Sequence, residues 1–386
     1  MRVLMTNATV IMPDEVRRDC LIVIEDGIIS QVGGGEYDPL LFDQIIDVQN
    51  RFLAPGFIDI HAHGNSGYDI MDKDAKGLDI IARYHLSRGV TSFLGATISA
   101  EHSRLLAVAN VVKDYVKSQK DDVSELLGIY LEGPFFNPQR SGAHPKRNLR
   151  LPSIDEVREI LDTSEGLIKV VAMAPELDGA LNLIAFLVST GVKVALGHSE
   201  GTYLDCSRAI DQGASIATHL FNAMIPFNHR EPGIVGAVLD KSEVYAELIV
   251  DGIHLHDAAI RIACKCKGKD KILLVSDQIR AAGLMDGTYT LDKETIRVEG
   301  GAARTIEGKL AGSTSDLIRA VRHLVIDLGF KIEDAVRMAS LNPATAIGVD
   351  KRLGSIDIGK QADLLILDHD LAISSVIKKG NVVYTN

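Results

Sequence analysis

The sequence predicts an α/β fold, a (β/α)8 TIM-like barrel joined to a small β-sandwich built from both ends of the chain. Three observations lead there. Eight short apolar runs recur through the middle of the chain, at 56–60, 91–97, 127–131, 169–174, 192–197, 215–220, 245–250 and 271–276. Near-continuous apolar strands are what a parallel sheet covered on both faces requires. Amphipathic stretches with helical spacing lie between them, at 78–87, 103–116, 154–161, 180–189 and 256–263. Eight strands alternating with helices close into a barrel. A doubly wound open sheet is the rival, and the count of eight and the lack of a G-x-G-x-x-G turn after the first run weigh against it.

The third observation is at the chain ends. Short apolar runs at 21–24 and 28–32 flank Glu25, Asp26 and Gly27, and a glycine triplet follows at 33–35. The last residues repeat the pattern, with runs at 364–367 and 376–384 and a turn at Lys379, Gly380 and Asn381. These read as antiparallel strands joined by tight turns. The expected organisation is a small β domain from 1–55 and 351–386, and a barrel over 56–350. One interruption, 287–310, reads as β-hairpins placed over or beside the barrel mouth, with helices at 315–328 and 332–339 closing the barrel.

Composition narrows the function. A chain of 386 residues with 46% apolar and 24% charged content is neither disordered nor a disulfide-stapled miniature. Lys plus Arg number 41 against 52 Asp plus Glu, a net charge of −11 that repels nucleic-acid backbones but leaves a small phosphorylated ligand open. The four cysteines, Cys20, Cys206, Cys264 and Cys266, form no disulfide framework. The N-terminus lacks an apolar signal core, and no run approaches the roughly 18 apolar residues of a membrane span. The expectation is a cytoplasmic protein without nucleic-acid or membrane partners.

The chemistry sits at the strand ends. His61 and His63 follow the first run, Glu132 the third, His198 the fifth; His219 ends the sixth, His254 comes just after the seventh and Asp277 follows the eighth. In a parallel barrel these positions share the carboxyl face, where barrel active sites lie. Residues i and i+2 of a strand point the same way, so His61 and His63 can grip one metal. Glu132 adds a carboxylate, and His198 with His219 complete a site with an open position for water. A divalent metal there lowers the pKa of water toward about 7. Asp277 can take the proton and pass it to a leaving group. One histidine in an apolar strand is ordinary core; ligand-type residues at five strand ends are not. His85, His102, His323 and His369 receive no role.

The run from Pro55 through His61-Ala62-His63, and the ending Gly354-Ser355-Ile356-Asp357-Ile358-Gly359 with Ala362-Asp363-Leu364, resemble the amidohydrolase superfamily. More narrowly, Leu131-Glu132-Gly133-Pro134-Phe135, Gly142-Ala143-His144, Leu196-Gly197-His198-Ser199, Thr218-His219-Leu220-Phe221-Asn222-Ala223-Met224, Arg230-Glu231-Pro232-Gly233 and Ala311-Gly312-Ser313 resemble the N-acetylglucosamine-6-phosphate deacetylase family. The likeness runs in order over nearly the whole chain. It implies that Glu132, His198 and His219 are the principal metal ligands, that His61 and His63 form a second site, and that Asp277 is the acid/base. It implies substrate contacts from Ala143, His144, Asn222, Ala223, His254, Leu310, Ala311 and Gly312. Arg230 would reach the phosphate in a neighbouring subunit, making the protein a homodimer.

The implied cofactor is zinc or iron, one or two ions per subunit, and the implied reaction is deacetylation of N-acetylglucosamine 6-phosphate. The alternatives are the galactosamine epimer, a cyclic-amide hydrolase of the same superfamily, and a barrel that binds without catalysis. The intact ligand set argues against the last. The fourth run ends Met173-Ala174-Pro175-Glu176, without the lysine that cyclic-amide hydrolases carboxylate. Gln278, where the family has a small residue, is expected to alter the pocket wall.

Overall fold

The structure, a computed structural model, describes residues 1–292 and 294–386. Eight parallel strands follow one another around the barrel: Phe57–Ala62, Val90–Ala96, Glu125–Glu132, Ile168–Met173, Lys193–Leu196, Ile216–Ala217, Tyr245–Leu248 and Ile272–Leu274. The eighth is joined to the first just beyond its regular end, where the Asp277 N–H donates to the His61 carbonyl at 2.9 Å and the His63 N–H to the Gln278 carbonyl at 2.8 Å.

Period-2 alternation explains the near-continuous apolar runs. Ile58, Ile60, Leu94, Ala96, Val170 and Ala172 belong to the cluster inside the barrel. Their neighbours Phe57, Phe93, Val171 and Met173 belong to the cluster shared with the surrounding helices. Each strand therefore buries both faces.

The helical stretches form as expected at Ala75–Ser87, His102–Ser118, Ile154–Thr163, Ala180–Ser189, Asp257–Lys267 and Ile332–Ala339. The stretch at 315–328 starts as an α-helix at Leu317, capped by Asp316, and widens to π winding over His323–Asp327. Two further helices, Tyr203–Asp211 and Gly233–Asp240, complete the ring after the fifth and sixth strands. The first opens on a capping box of Thr202 and Asp205.

The sixth strand is much shorter than its apolar run. His219 has φ 27°, Phe221 79° and Ala223 50°, so the backbone leaves the ladder after Ala217 to turn the histidine inward. The insert is a three-stranded antiparallel sheet, Gly287–Leu291, Glu294–Glu299 and Ala302–Thr305; residue 293 lies outside the described residues.

The chain ends build one sheet, not two separate ones. Its order is Asn381–Thr385, Ile373–Lys378, Leu364–Leu367, Phe52–Pro55, Arg2–Ile11, Val16–Glu25 and Ile28–Gly33, with Gln44–Asp47 also on Arg2–Ile11. The two layers of the expected sandwich are halves of this sheet curled on itself: the Ile29 N–H donates to the Lys360 carbonyl at 2.9 Å and the Ala362 N–H to the Gly27 carbonyl at 2.8 Å. Val3, Met5, Ile22, Ile24, Leu364 and Ile377 fill the space between. Asp26 and Gly27 turn the hairpin between Val16–Glu25 and Ile28–Gly33 at φ 49° and 83°, the left-handed pair that matches strand twist.

A buried ion pair fastens this sheet to the barrel. The Lys378 ammonium lies 2.7 Å from Asp363 Oδ2 and donates to the Thr91 carbonyl in the second barrel strand at 2.9 Å. Both side chains are under 5% exposed. Lys378→Met would leave the Asp363 carboxylate buried without its cation, which costs about 3–5 kcal/mol. Urea denaturation should show that loss.

Candidate active site

The strand ends bring the ligand-type residues into one buried cluster. Glu132, 2% exposed at the end of the third strand, is its centre. Its Oε1 lies 3.3 Å from His198 Nε2, 3.2 Å from His219 Nε2 and 3.5 Å from His61 Nε2. Its Oε2 lies 3.3 Å from His63 Nε2 and 3.1 Å from His144 Nε2. Two groups could hold a metal, His61 with His63 and Glu132, and Glu132 with His198 and His219. Glu132 belongs to both.

Hydrogen bonds behind the rings decide which nitrogen faces inward. His61 Nδ1 meets the Glu247 carboxylate at 2.9 Å, His63 Nδ1 the Ala96 carbonyl at 3.1 Å, and His198 Nδ1 the Arg140 carbonyl at 2.8 Å. Those oxygens only accept, so each Nδ1 carries hydrogen and, in the neutral ring, each Nε2 presents a lone pair to the cluster. Backbone strain serves the same aim, with φ at 50° for His198 and 27° for His219.

His144 is arranged the opposite way. Its Nδ1 accepts the Ser99 backbone N–H at 3.0 Å. The neutral ring therefore carries its hydrogen on Nε2, pointing inward as a donor. A donor at that place suits a carbonyl oxygen gaining charge rather than a metal.

The donor set fits a borderline divalent metal. His198 and His219 Nε2 stand 3.1 Å apart. With Glu132 Oε1 at 3.3 and 3.2 Å, they form a nearly equilateral triangle. Tetrahedral coordination at about 2.0–2.1 Å spaces ligand atoms about 3.3 Å apart. His61 Nε2 is buried with no hydrogen-bond partner, also facing this cluster.

Electrostatics divides the rings. Burial lowers His198 to about 4, which keeps its lone pair free at neutral pH. For His63, burial lowers the value too, but hydrogen bonds to Asp277 and Glu132 outweigh it and lift it to about 10. A proton or a metal cation belongs between that ring and those carboxylates.

Asp277 stands beside the cluster with Oδ1 3.1 Å from His63 Nε2 and 3.8 Å from His61 Nε2. Burial would raise its pKa, but the His63 hydrogen bond and the nearby imidazoles hold it below the usual carboxylate range, so it is ionised at neutral pH. Its φ of 49° is held by backbone bonds: its N–H to the His61 carbonyl, and its own carbonyl to the Ser313 N–H at 2.8 Å. Gly312 makes that approach possible, since a Cβ there would sit 2.8 Å from the Asp277 carbonyl oxygen.

A cleft of about 500 Å³ opens onto the cluster. His63, Glu132, Ala143, His144, His198, His219, Asn222, Ala223, His254, Asp277, Leu310 and Gly312 line it, joined by Leu291, Arg304, Gly308 and Lys309 from the insert and its exit. The insert thus lies over the mouth. His254 is oriented by Asp251, whose carboxylate lies 2.7 Å from His254 Nδ1.

Three expected site residues lie off the cleft wall. His61 sits beneath His63 and is fully buried. Ala311 is buried behind its neighbours, its N–H donating to the Ala303 carbonyl at 3.0 Å. Arg230 is exposed on the loop before Gly233–Asp240, its Nη1 3.3 Å from His229 Nε2, outside its own chain's cleft. The expectation for Gln278 is corrected: its side chain turns away from the cleft to donate to the Ser315 carbonyl at 2.9 Å, because its main chain is engaged in the barrel seam.

Residues 52–383 match the family described as "Amidohydrolase family". The chain belongs to the amidohydrolase family. It is 38% identical over 359 residues to N-acetylgalactosamine-6-phosphate deacetylase of Escherichia coli O157:H7, covering 93% of each chain. It is 37% identical over 370 residues to N-acetylglucosamine-6-phosphate deacetylase of Vibrio furnissii, covering 95% of this chain and 92% of the relative. The crystal structure of N-acetylglucosamine-6-phosphate deacetylase from Pasteurella multocida aligns over 100% of both chains, with a TM-score of 0.94 at 32% identity.

Sequence reasoning about this amidohydrolase missed Arg140, Arg304 and Lys309, cations that line the cleft, and Glu247 beneath it. Only the insert's position over the mouth brings Arg304 and Lys309 in. Glu247 had a signal, a lone carboxylate inside an apolar strand.

The shared carboxylate sets a prediction. Glu132→Gln should empty both ligand groups, whereas His63→Ala should affect one. Elemental analysis of chelator-free protein checks this; full metal content in Glu132→Gln would contradict it.

Proposed function

We propose that this amidohydrolase removes the acetyl group of N-acetylglucosamine 6-phosphate, giving glucosamine 6-phosphate and acetate in amino-sugar breakdown. The observation that carries the reading is the Glu132–His198–His219 triangle with ionised Asp277 beside it, at the floor of a cleft of about 500 Å³ lined by polar and cationic groups. The names of the full-length relatives support the substrate class. A zinc or iron ion held by Glu132, His198 and His219, with a second at His61 and His63, would polarise the acetyl carbonyl and make water acidic at neutral pH.

The chain's own groups do the rest. Asp277 Oδ1 takes the proton of the attacking water and returns it to the nitrogen as the C–N bond breaks, so the amine leaves neutral. His144 Nε2–H donates to the acetyl oxygen as it gains charge. Asn222, Ala223, His254 and the 310–312 segment hold the sugar phosphate. We place the protein in a reducing, cytoplasmic compartment; its four free cysteines support this. Among the described residues no helix is long and apolar enough to cross a membrane.

The relative from E. coli favours a second reading, the galactosamine epimer, which differs at one hydroxyl. Acetate release from both epimers, with and without the 6-phosphate, tests the two together. The expected order puts N-acetylglucosamine 6-phosphate first in kcat/KM. Preference for the galacto epimer would move the assignment to it, and no acetate from any of the four would overturn both.

Arg230, exposed and off its own cleft, is proposed to complete a neighbour's phosphate site in a homodimer. Arg230→Ala should raise KM for the phosphorylated sugar by about 10–150-fold, the loss of one charge-assisted contact. Asp277→Asn should lower turnover by about 10²–10⁴-fold. Co-expressing the two variants should restore activity, since a mixed dimer has one site with neither defect. A monomer by light scattering, or no recovery on mixing, contradicts the shared site.

A further inference from the structure

Glu247 lies at the third position of the seventh strand, Tyr245–Leu248, fully buried. Its neighbours Ala246 and Leu248 are packed in the apolar core, and it does not line the cleft. A carboxylate placed there is costly unless its oxygens are engaged. One oxygen is engaged twice. Oε2 lies 2.9 Å from His61 Nδ1 and 3.0 Å from the backbone nitrogen of His219. The other, Oε1, has no hydrogen-bond partner. The Glu247 main chain joins in, its carbonyl accepting the Leu220 N–H at 2.8 Å.

These contacts reach both ligand groups from behind. His61 belongs to the group with His63, and His219 to the group with His198; Glu132 joins them in front. The acceptor at His61 Nδ1 requires hydrogen there, which leaves Nε2 as the ring's lone pair toward Glu132. Stacking adds rigidity, since the His61 ring lies on Tyr130 with centroids 4.4 Å apart and planes 25° from parallel. The His219 N–H is met by this side-chain oxygen rather than by a backbone carbonyl, which holds a residue whose φ is 27°.

We infer that Glu247 is a positioning residue for metal binding, fixing the His61 tautomer and the His219 turn through a single carboxylate oxygen and so tying the two ligand groups together. The inference rests on the metal reading of the cluster. Glu247 touches neither substrate nor the cleft and acts only through the histidines. Carboxylates behind metal-binding histidines typically contribute 10–100-fold in metal affinity, by fixing ring orientation and raising ligand basicity.

The test is zinc affinity, measured by titrating chelator-stripped protein with zinc against a competing chelator. Glu247→Gln preserves shape but replaces the carboxylate with a neutral amide. It should weaken zinc binding by about 10–100-fold. Lys378→Met is the control for destabilisation alone, being a buried pair in the chain-end sheet; its zinc affinity should match wild type. Unchanged affinity in Glu247→Gln, or an equal loss in Lys378→Met, overturns the role. If Glu247→Gln does not fold, Glu247→Asp is used in the same comparison; its carboxylate is drawn back from His61, and a loss in the same direction is expected. Failure of the wild-type chain to bind zinc would instead overturn the metal reading, and the wild-type arm reports that separately.

Discussion

His198 Nε2 and His219 Nε2 lie 3.1 Å apart with a Glu132 oxygen beside both, and three such atoms presenting lone pairs to one point repel unless a positive charge lies among them. That constraint organises the molecule. His198 is locked with hydrogen on the far nitrogen by the Arg140 carbonyl, and burial favours its neutral form. Glu132 is buried with histidines on both of its oxygens. A buried carboxylate is tolerated only with such compensation. The strained backbone at His198, His219 and Asp277 is the local cost of aiming these groups at one point.

The barrel supplies the precision. Its closing seam, between the eighth and first strands, is made by the main chain of His61, His63, Asp277 and Gln278. The same bonds that complete the cylinder set the spacing between the proposed acid/base and the histidine pair. The chain-end sheet is pinned to the second barrel strand by Lys378 and Asp363, far from the chemistry. The insert contributes Leu291, Arg304 and Lys309 to the cleft. Scaffold, chemistry and substrate contacts are thus assigned to different parts of one chain.

Much of this was legible in the sequence. The eight strands were visible because each is buried on both faces, and the ligand-type residues stood out as polar breaks at their ends. Less visible were features that depend on backbone geometry. No residue type announces that His219 will turn out of its strand, so the sixth strand looked longer than its two residues. The tautomers of His61 and His144 follow from partners distant in sequence, Glu247 and Ser99. Gln278 looked like pocket wall because it follows Asp277, yet its side chain leaves the cleft. The helix Tyr203–Asp211 was within reach, through the Thr202 and Asp205 capping signal.

The central claim is that the triangle of Glu132 Oε1, His198 Nε2 and His219 Nε2 is a metal site. Anomalous diffraction from a crystal of protein purified without chelator, collected at the zinc and iron absorption edges, tests it most directly. The account predicts a peak about 2.0–2.3 Å from each of those three atoms. A crystal of active protein with no anomalous peak there would contradict it.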